Sequence, residues 1–170
     1  MITRHSFWRA MLAVPLMLCL PHLARAQEAA GHPVVRNLEE IEFVAVPGLP
    51  TCAPGAVQRG DPSQGPSVIL ARMETGCTIP WHWHTPNEHL MMVRGEAVME
   101  MRDGQQLSLR PGGFALMPSG HVHQARCIQE CTMFVYSDSA LDIRYVDAQG
   151  TEISAEAALA ALRETNPRSR

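Results

Sequence analysis

Three residues between Gly76 and Gly95 have the types and the spacing of a metal site. His82, His84 and Glu88 lie in the pattern G-x5-H-x-H-x3-E-x6-G, and a Pro-Asn turn precedes the glutamate. Side chains two positions apart on a β-strand point to the same face, so the two histidines can bind one ion together. Glu88 then returns from the turn toward the same ion. The spacing therefore predicts two imidazoles and one carboxylate around a metal.

A second pattern farther along the chain supplies a fourth ligand. Gly112, Pro118, Gly120 and His123 follow the pattern G-x5-P-x-G-x2-H. A rigid site needs ligands from distant parts of the sequence, and His123 meets that need. Imidazole and carboxylate ligands bind borderline ions. We therefore expect one divalent transition metal ion, of Fe, Mn, Zn, Ni or Cu, with one or two coordination positions left open for chemistry.

Together the two patterns resemble the paired signature motifs of the cupin superfamily. In that family the first motif provides two histidines and a glutamate, and the second provides a third histidine. The first motif matches at every fixed position, whereas the second has Cys127 where the family pattern has asparagine. The resemblance covers about residues 66 to 136 and implies a single jelly-roll-like β-barrel. It implies no single reaction, because cupins include dioxygenases, lyases, isomerases, storage proteins and sensory domains.

The rest of the chain predicts an all-β barrel with a short C-terminal helix. Short strand candidates separated by turn residues are typical of sandwiches and barrels, and Asp103-Gly104 marks a tight hairpin. Ser154 can cap a helix that we expect to end near Arg163. The predicted strands are 41–46, 68–73, 78–84, 89–93, 97–102, 106–109, 114–117, 121–126, 132–136 and 143–146.

Four segments follow from these patterns. We expect a signal peptide at 1–26, an N-terminal arm with the first strand at 27–65, the cupin barrel at 66–147, and a C-terminal helix and tail at 148–170. At 170 residues the chain has room for one such barrel and not for two. Cupin enzymes with two barrels are therefore excluded.

The first segment has the composition of a secretory signal peptide. Two arginines precede an apolar run from Ala10 to Leu20, and residues 24–26 form an A-x-A cleavage site. A membrane anchor is the alternative, but Pro15 breaks the run, which is shorter than the ~20 residues that a span requires. Cys19 lacks the small residues that precede a lipidated cysteine. We therefore expect a periplasmic or secreted protein without a stable membrane anchor.

Charge and composition exclude further classes of function. Loss of the signal peptide removes three arginines and no acidic residue, and the formal net charge falls from -3 to -6. An acidic protein without a basic cluster is a poor nucleic-acid binder. The chain contains no lysine, which excludes Schiff-base catalysis. We expect a small-molecule ligand and no nucleic acid.

Four cysteines remain after cleavage, and an even number in an oxidising compartment favours disulfides. Three pairings are possible. Cys127 and Cys131 flank three residues that can form a hairpin tip, which would bring them within bridging distance. Cys52 and Cys77 would then form the second bridge. The alternative is that some cysteines stay reduced and pack as small apolar side chains.

His121 is the candidate catalytic residue beside Glu88. It lies two residues before His123 and is therefore expected on the same inward face. There it would act as a general base, as an alternative ligand or as a neighbour of the ligands, although an ordinary rim residue is the simpler interpretation. His89 follows Glu88 and points to the other face, which indicates a structural role.

Strand alternation also predicts what surrounds the ion. Leu90 and Met92 are expected to point inward, and Met99 and Met101 share one face of the next strand, so the pocket should be apolar. Three residues are candidates for fixing a polar substrate or, alternatively, for the surface or rim: Arg72, Arg94 and Tyr136.

Trp81 and Trp83 alternate with the ligands and are expected on the outer face of the barrel. Two large aromatic side chains left in water would form an exposed apolar patch. We expect them to pack on the N-terminal strand or on a second subunit. They are the main reason to expect a homodimer.

Two classes of function fit these observations. The first is an exported mononuclear metalloenzyme of dioxygenase type that acts on a small, largely apolar or aromatic, oxygen-bearing substrate. The second is a non-enzymatic metal-binding or small-ligand-binding module, such as a sensor. Lyase or isomerase chemistry without a redox change is also compatible with the predicted ligands.

Overall fold

The computed structural model of the protein describes residues 33–165. Within them, the chain from Arg36 onward belongs to one compact unit. The predicted signal peptide at 1–26 lies outside the described residues. No helix in the described part is both long and apolar enough to cross a membrane.

Strands account for most of the regular structure between residues 33 and 165. A short 3-10 helix precedes them and one α-helix follows them. In chain order the elements are the 3-10 helix (Leu38–Glu40), β1 (Gly55–Arg59), β2 (Ser67–Met73), β3 (Thr78–Trp83), β4 (Glu88–Met101), β5 (Gln106–Leu109), β6 (Phe114–Met117), β7 (His123–Ser137), β8 (Arg144–Val146), β9 (Glu152–Ile153) and α1 (Ala155–Thr165).

The strands form one antiparallel sheet around the long pair β4 and β7. β7 pairs with β2, β3 and β4, and the other edge of β4 carries β5 and β6. Apart from β4, β5 and β6, the strands follow the order β1-β2-β7-β3-β8-β9 across the sheet. Inward side chains of these strands, with several methionines among them, make the core. The result is the all-β jelly-roll fold with a short C-terminal helix that the sequence predicts.

The β4–β7 pair is bent so that its two ends approach each other. Glu88 pairs with Ser137 at one end of the pair, and Met101 pairs with His123 at the other. A straight strand of the 14 residues of β4 would be roughly 45 Å long. Yet a carboxylate oxygen of Glu88 lies 3.5 Å from Nε2 of His123. The shifts in pairing register that allow this bend all fall between Met92 and Ala97.

Gly95 lies within the bend. Its φ of +83° is in the left-handed region that favours glycine. A Cβ atom there would meet the carbonyl oxygens of Glu130 and of Gln129, the latter at 2.5 Å. The absence of a side chain therefore lets β4 approach β7 at the point where both strands change direction.

Four of the predicted strands prove to be two. The sequence predicts breaks after 93 and after 126, but β4 and β7 run through them as continuous bent strands. Gly95 favours a turn in the sequence, and the structure uses it for a bend within two strands that stay paired on both sides. The strand predicted at 41–46 is also wrong, because this segment forms only an isolated bridge between Val44 and Gly55.

Both predicted disulfides are present. Cys52 is bonded to Cys77, and Cys127 is bonded to Cys131. The predicted hairpin tip is wrong, because both cysteines of the second bridge lie within β7 and the chain does not reverse there. The bridge spans the irregular part of β7 opposite Gly95. The side chains of Cys77, Cys127 and Cys131 are buried in the core.

The C-terminal helix has the predicted cap. The hydroxyl oxygen of Ser154 accepts a hydrogen bond from the N–H of Ala157 at 3.1 Å. Ala158 is buried in the core, and the helix contacts β3 and β8. Trp81 and Trp83 lie on the outer side of β3 as predicted and are half-buried, with the guanidinium of Arg144 over the Trp83 ring. The homodimer remains a prediction.

We expect Gly95→Ala to destabilise the protein far more than Gly104→Ala. Both glycines have positive φ, so each alanine incurs a backbone cost of about 1–2 kcal/mol. Only Gly95 also has backbone atoms where the Cβ would go, whereas nothing lies within 4 Å at Gly104. Urea unfolding should show an additional loss of about 2 kcal/mol or more for Gly95→Ala. Equal losses in the two variants would contradict the assigned role of Gly95.

Candidate metal centre

The four predicted ligands come from the two ends of the bent strand pair and from the end of β3. His82 on β3 pairs directly with His123 on β7. His84 follows the last residue of β3, and a tight turn of residues 85–87 leads to Glu88, the first residue of β4. All four side chains are buried. The structure therefore brings together residues that are up to 41 positions apart in the sequence.

The side chains converge on one point. One ring nitrogen from each of the three histidines lies within 4.8 Å of the other two. A carboxylate oxygen of Glu88 lies 3.5 Å from Nε2 of His84 and 3.5 Å from Nε2 of His123. Ligand atoms about 2 Å from a central ion lie at most about 4 Å apart, and the two separations of 3.5 Å meet that limit. The arrangement is that of a cage for a single ion.

Main-chain carbonyl groups set the tautomer of each ring. Nδ1 of His82 donates to the carbonyl oxygen of Pro80 at 2.6 Å, and Nδ1 of His123 donates to that of His121 at 2.9 Å. Nδ1 of His84 donates to the carbonyl oxygen of Asp142. A carbonyl oxygen can only accept, so each Nδ1 carries the proton and each Nε2 keeps its lone pair. Three lone pairs therefore face the same point.

The donor set fits a transition metal ion. Nε2 of His84 and Nε2 of His123 are buried and have no hydrogen-bond partner in the structure. Buried polar atoms are rarely left without partners, and an ion at the centre of the cluster would satisfy both. A histidine that binds a metal through one ring nitrogen typically donates a hydrogen bond from the other, as these Nδ1 atoms do to carbonyl groups.

The comparison with known families agrees with this geometry. Residues 69–137, which include Glu88 and His123, match the family model of the cupin domain. These residues of the chain form a cupin domain. No curated protein sequence is significantly similar to it.

Solved structures share the fold of this cupin. One is the polyketide cyclase RemF from Streptomyces resistomycificus, with 15% identity, coverage of 68% of this chain and 86% of that one, and a TM-score of 0.59. Another is a structure of the DMSP lyases RdDddP and RnDddQII, with 21% identity, coverage of 64% of this chain and 63% of that one, and a TM-score of 0.53. The cupin therefore spans slightly less than two thirds of the latter. At these identities the similarity shows the fold alone.

Burial and neighbouring groups set the protonation states of two of the predicted ligands. Burial, followed by interactions with His123 and His84, lowers the pKa of His82 from 6.5 to about 3. Burial acts to raise the pKa of Glu88, but interactions with His84 and His123 outweigh it and lower that pKa to about 2. At neutral pH the imidazole of His82 is therefore neutral and the carboxylate of Glu88 is ionised, as metal binding requires.

The four residues lie in the wall of a cavity of about 390 Å³. Ser63 and Asp142 are the only other lining residues with polar side chains among those the structure describes. The hydroxyl of Ser63 donates to Asp61, and the carboxylate of Asp142 accepts hydrogen bonds from Thr85. Apolar side chains provide most of the remaining wall, including those of Leu49, Ile69, Leu90, Met99, Met133 and Val135.

The predicted apolar pocket is confirmed for two of its four predicted residues. Leu90 and Met99 line the cavity. Met92 is buried in the core away from the cavity wall. Met101 borders a separate hollow beside β5 and β6, which also includes His121. All four residues are buried, so alternation predicted their face correctly, but only one residue from each half of β4 reaches the cavity.

The predicted inward position of His121 is wrong. His121 precedes the first residue of β7, so strand alternation does not extend to it, and its side chain is exposed. Its contribution to the site is its main-chain carbonyl, which holds the ring of His123. His89 points to the outer face as predicted, between the rings of Phe114 and Tyr136.

The three candidates for fixing a polar substrate also lie outside the cavity. The guanidinium of Arg72 lies over the Phe43 ring at 4.0 Å. Arg94 forms an ion pair with Glu130 at the surface, and Tyr136 contacts His89. Sequence reasoning instead missed Asp142, which lines the cavity and holds His84. It acts through a main-chain carbonyl, for which no side-chain pattern gives a signal.

We expect His84→Ala and His123→Ala to lower metal occupancy sharply, because each removes one of the inward lone pairs. His121→Ala is the matched control, since its main-chain carbonyl is retained and its side chain lies outside the cavity. Occupancy can be measured by elemental analysis of protein reconstituted with one equivalent of Zn²⁺. Full occupancy in a His82→Ala, His84→Ala double variant would refute the site.

We also expect the metal-free protein to lose stability as the pH falls from 7 to 5. His82 has a lower pKa in the folded protein than in the unfolded chain. Below about pH 6.5 its imidazole is therefore protonated in the unfolded chain but not in the folded protein, and the folded state loses stability until the pH reaches about 3. Between pH 7 and 5 this amounts to about 2 kcal/mol. Glu88 adds to the loss only below its ordinary value of 4.5.

Urea unfolding in the presence of a chelator measures this pH dependence. The His82→Gln variant, which cannot titrate at this position, should lose about 2 kcal/mol less between pH 7 and 5 than the unaltered protein. His121→Gln should behave as the unaltered protein does. An identical slope in the His82→Gln variant would contradict the burial effect.

Proposed function

We propose that this cupin is a mononuclear metalloenzyme that acts on a small, largely apolar or aromatic, oxygen-bearing substrate with dioxygenase-type chemistry. His82, His84, Glu88 and His123 would hold the ion. The observation that carries the proposal is the meeting of these four groups in the wall of a largely apolar cavity. Three histidines and one carboxylate would leave coordination positions free for substrate and dioxygen.

The cavity wall favours one class of substrate. A phosphate or carboxylate group loses its hydration when it enters the cavity, and apolar side chains provide no hydrogen bonds or charges to offset that cost in free energy. Only the ion would offer a partner to a polar atom. A phenol, an enol or a β-dicarbonyl compound presents oxygen atoms to the ion and an apolar body to side chains such as Leu90 and Val135.

The same wall favours one class of reaction. Apart from the ligands, Asp142 is the only ionisable residue that lines the cavity within the described chain, and Thr85 and Arg144 occupy its carboxylate. Tyr145 lies beside His82, but its hydroxyl donates to the carbonyl oxygen of Gly48, and burial raises its pKa. Among the described residues, the cavity therefore offers no free acid or base apart from the predicted ligands, which favours chemistry that a redox ion supplies directly over general acid-base catalysis.

The ligand residues have defined roles in this proposal. The carbonyl partners of the three Nδ1 atoms keep the rings oriented, and Glu88 contributes a negative charge that offsets part of the charge of the ion. The apolar wall would contact the body of the substrate. A bound redox-active ion would activate both substrate and dioxygen by Lewis acidity and electron transfer.

Localisation and the alternative function remain part of the proposal. Two disulfides support an oxidising compartment, and we propose export to the periplasm or the medium. The lack of a separate acid or base in the cavity is also compatible with a non-enzymatic module that binds a metal or a small ligand. A dioxygen assay separates the two functions.

We expect Fe²⁺-loaded protein to consume dioxygen in the presence of a phenol, an enol or a β-dicarbonyl compound. Glu88→Ala should lower the rate by about ten-fold or more, because it removes the anionic ligand. An oxygen electrode measures the rate, with metal-free protein as the control. Tight binding of a phosphorylated or polyanionic ligand, without dioxygen uptake under any metal loading, would favour the binding module.

A further inference from the structure

The turn between His84 and Glu88 is anchored by two carboxylates of one neighbouring segment. Residues 138–142, here called the strap, follow β7. The carboxylate of Asp142 accepts hydrogen bonds from the N–H of Thr85 at 2.7 Å and from its hydroxyl at 2.6 Å. The carboxylate of Asp138 accepts from the N–H of Asn87 at 3.0 Å and from its side-chain amide at 2.6 Å. Each end of the turn therefore has its own anchor.

The opposite side of the turn is bonded to the second motif. The hydroxyl of Ser119 donates to the carbonyl oxygen of Thr85 at 2.6 Å, and its N–H donates to the side chain of Asn87 at 3.1 Å. The N–H of Gly120 donates to the carbonyl oxygen of His84 at 2.9 Å. Gly120 has a φ of +72°, which explains a glycine at this position of the motif. The strap thus closes the turn against a fixed support.

Asp142 differs from the other anchors because it also touches a ligand. Its main-chain carbonyl accepts the hydrogen bond from Nδ1 of His84, while its carboxylate holds the next residue, Thr85. Nε of Arg144 donates to the same carboxylate at 3.0 Å. The N–H of Leu141 donates to the carbonyl oxygen of Pro62 at 2.7 Å, which fixes the strap on its other side.

We propose that Asp142 is a positioning residue for the metal ion. Its carboxylate fixes the strap against the turn, and this keeps the main-chain carbonyl where it orients the His84 ring. Asp138 fixes the turn in the same way directly before Glu88. The inference rests on the proposed metal centre, because orientation of His84 matters only if its Nε2 binds an ion. The ring can rotate about the Cβ–Cγ bond, so loss of the carbonyl partner would let Nε2 leave the cluster.

Co²⁺ binding to the full protein tests the inference, because bound Co²⁺ has a visible absorption spectrum that reports its ligands. Asp142→Ala should weaken Co²⁺ binding by about ten-fold, the lower end of the effect of removing such supporting groups. Its spectrum should also change, because His84 is displaced. Asp142→Asn should recover part of the affinity, since the amide oxygen still accepts from the N–H of Thr85.

Asp147→Ala is the matched control. Its carboxylate accepts two main-chain hydrogen bonds in the turn before β9, from Gln149 at 2.9 Å and Thr151 at 2.8 Å. The variant therefore loses a comparable set of bonds away from the cluster. We expect it to bind Co²⁺ with the affinity and spectrum of the unaltered protein, even if its melting temperature falls.

The outcomes separate the inference from the proposed metal centre. Failure of the unaltered protein to bind Co²⁺ would reject the metal centre itself. If the unaltered protein binds Co²⁺ and folded Asp142→Ala binds it with the same affinity and spectrum, the positioning role is wrong. Should Asp142→Ala fail to fold, Thr85→Val removes only the hydroxyl donor to the same carboxylate. A weaker affinity in that variant supports the role, and an unchanged affinity overturns it.

Discussion

The bend in the β4–β7 pair is the constraint on which the rest of the structure depends. Each strand continues through the bend, and the two strands stay paired on both sides of it while the pairing register shifts between Met92 and Ala97. Without the bend, Glu88 and His123 would lie at opposite ends of a long ribbon. Gly95 permits the close approach, and the Cys127–Cys131 bridge covalently closes the irregular part of the facing strand. The site is thus a consequence of how one strand pair is folded over itself.

Main-chain atoms account for much of the organisation of the site. The three histidines are oriented by carbonyl groups of Pro80, His121 and Asp142, which belong to backbone fixed by the surrounding structure. Rotation of a ring would therefore leave a buried N–H without a partner, at a cost of about 1–3 kcal/mol. Burial lowers the pKa of His82, whereas the neighbouring imidazoles of His84 and His123 lower the pKa of Glu88 against the effect of burial. Orientation and protonation are both set before any ion arrives.

Sequence alone predicted the parts that depend on spacing and alternation. The outward direction of the two tryptophans and the helix cap at Ser154 are local properties that the structure confirms. The structure also brings the four predicted ligands together. The pairing of Cys127 with Cys131 was also predictable, because only four positions separate the two residues. The jelly-roll fold followed from the resemblance of the two motifs.

The remaining features depend on tertiary structure. A glycine such as Gly95 occurs both where a chain reverses and where a strand only bends, and the sequence does not distinguish the two. For this reason β4 and β7 were each predicted as two strands. His121 was assigned to a strand that begins only at His123, and one misplaced boundary reversed the direction of its side chain. Asp142 acts through a carbonyl oxygen, which every residue type possesses. Such roles become visible only when the fold brings the strap to the turn.

The central claim is that one ion lies among His82, His84, Glu88 and His123. Anomalous diffraction from crystals of metal-loaded protein, recorded on both sides of the absorption edge of the metal, tests it most directly. The account predicts one strong peak about 2.0–2.2 Å from Nε2 of each histidine and from a carboxylate oxygen of Glu88. A peak bound elsewhere, or no peak in fully loaded protein, would contradict it.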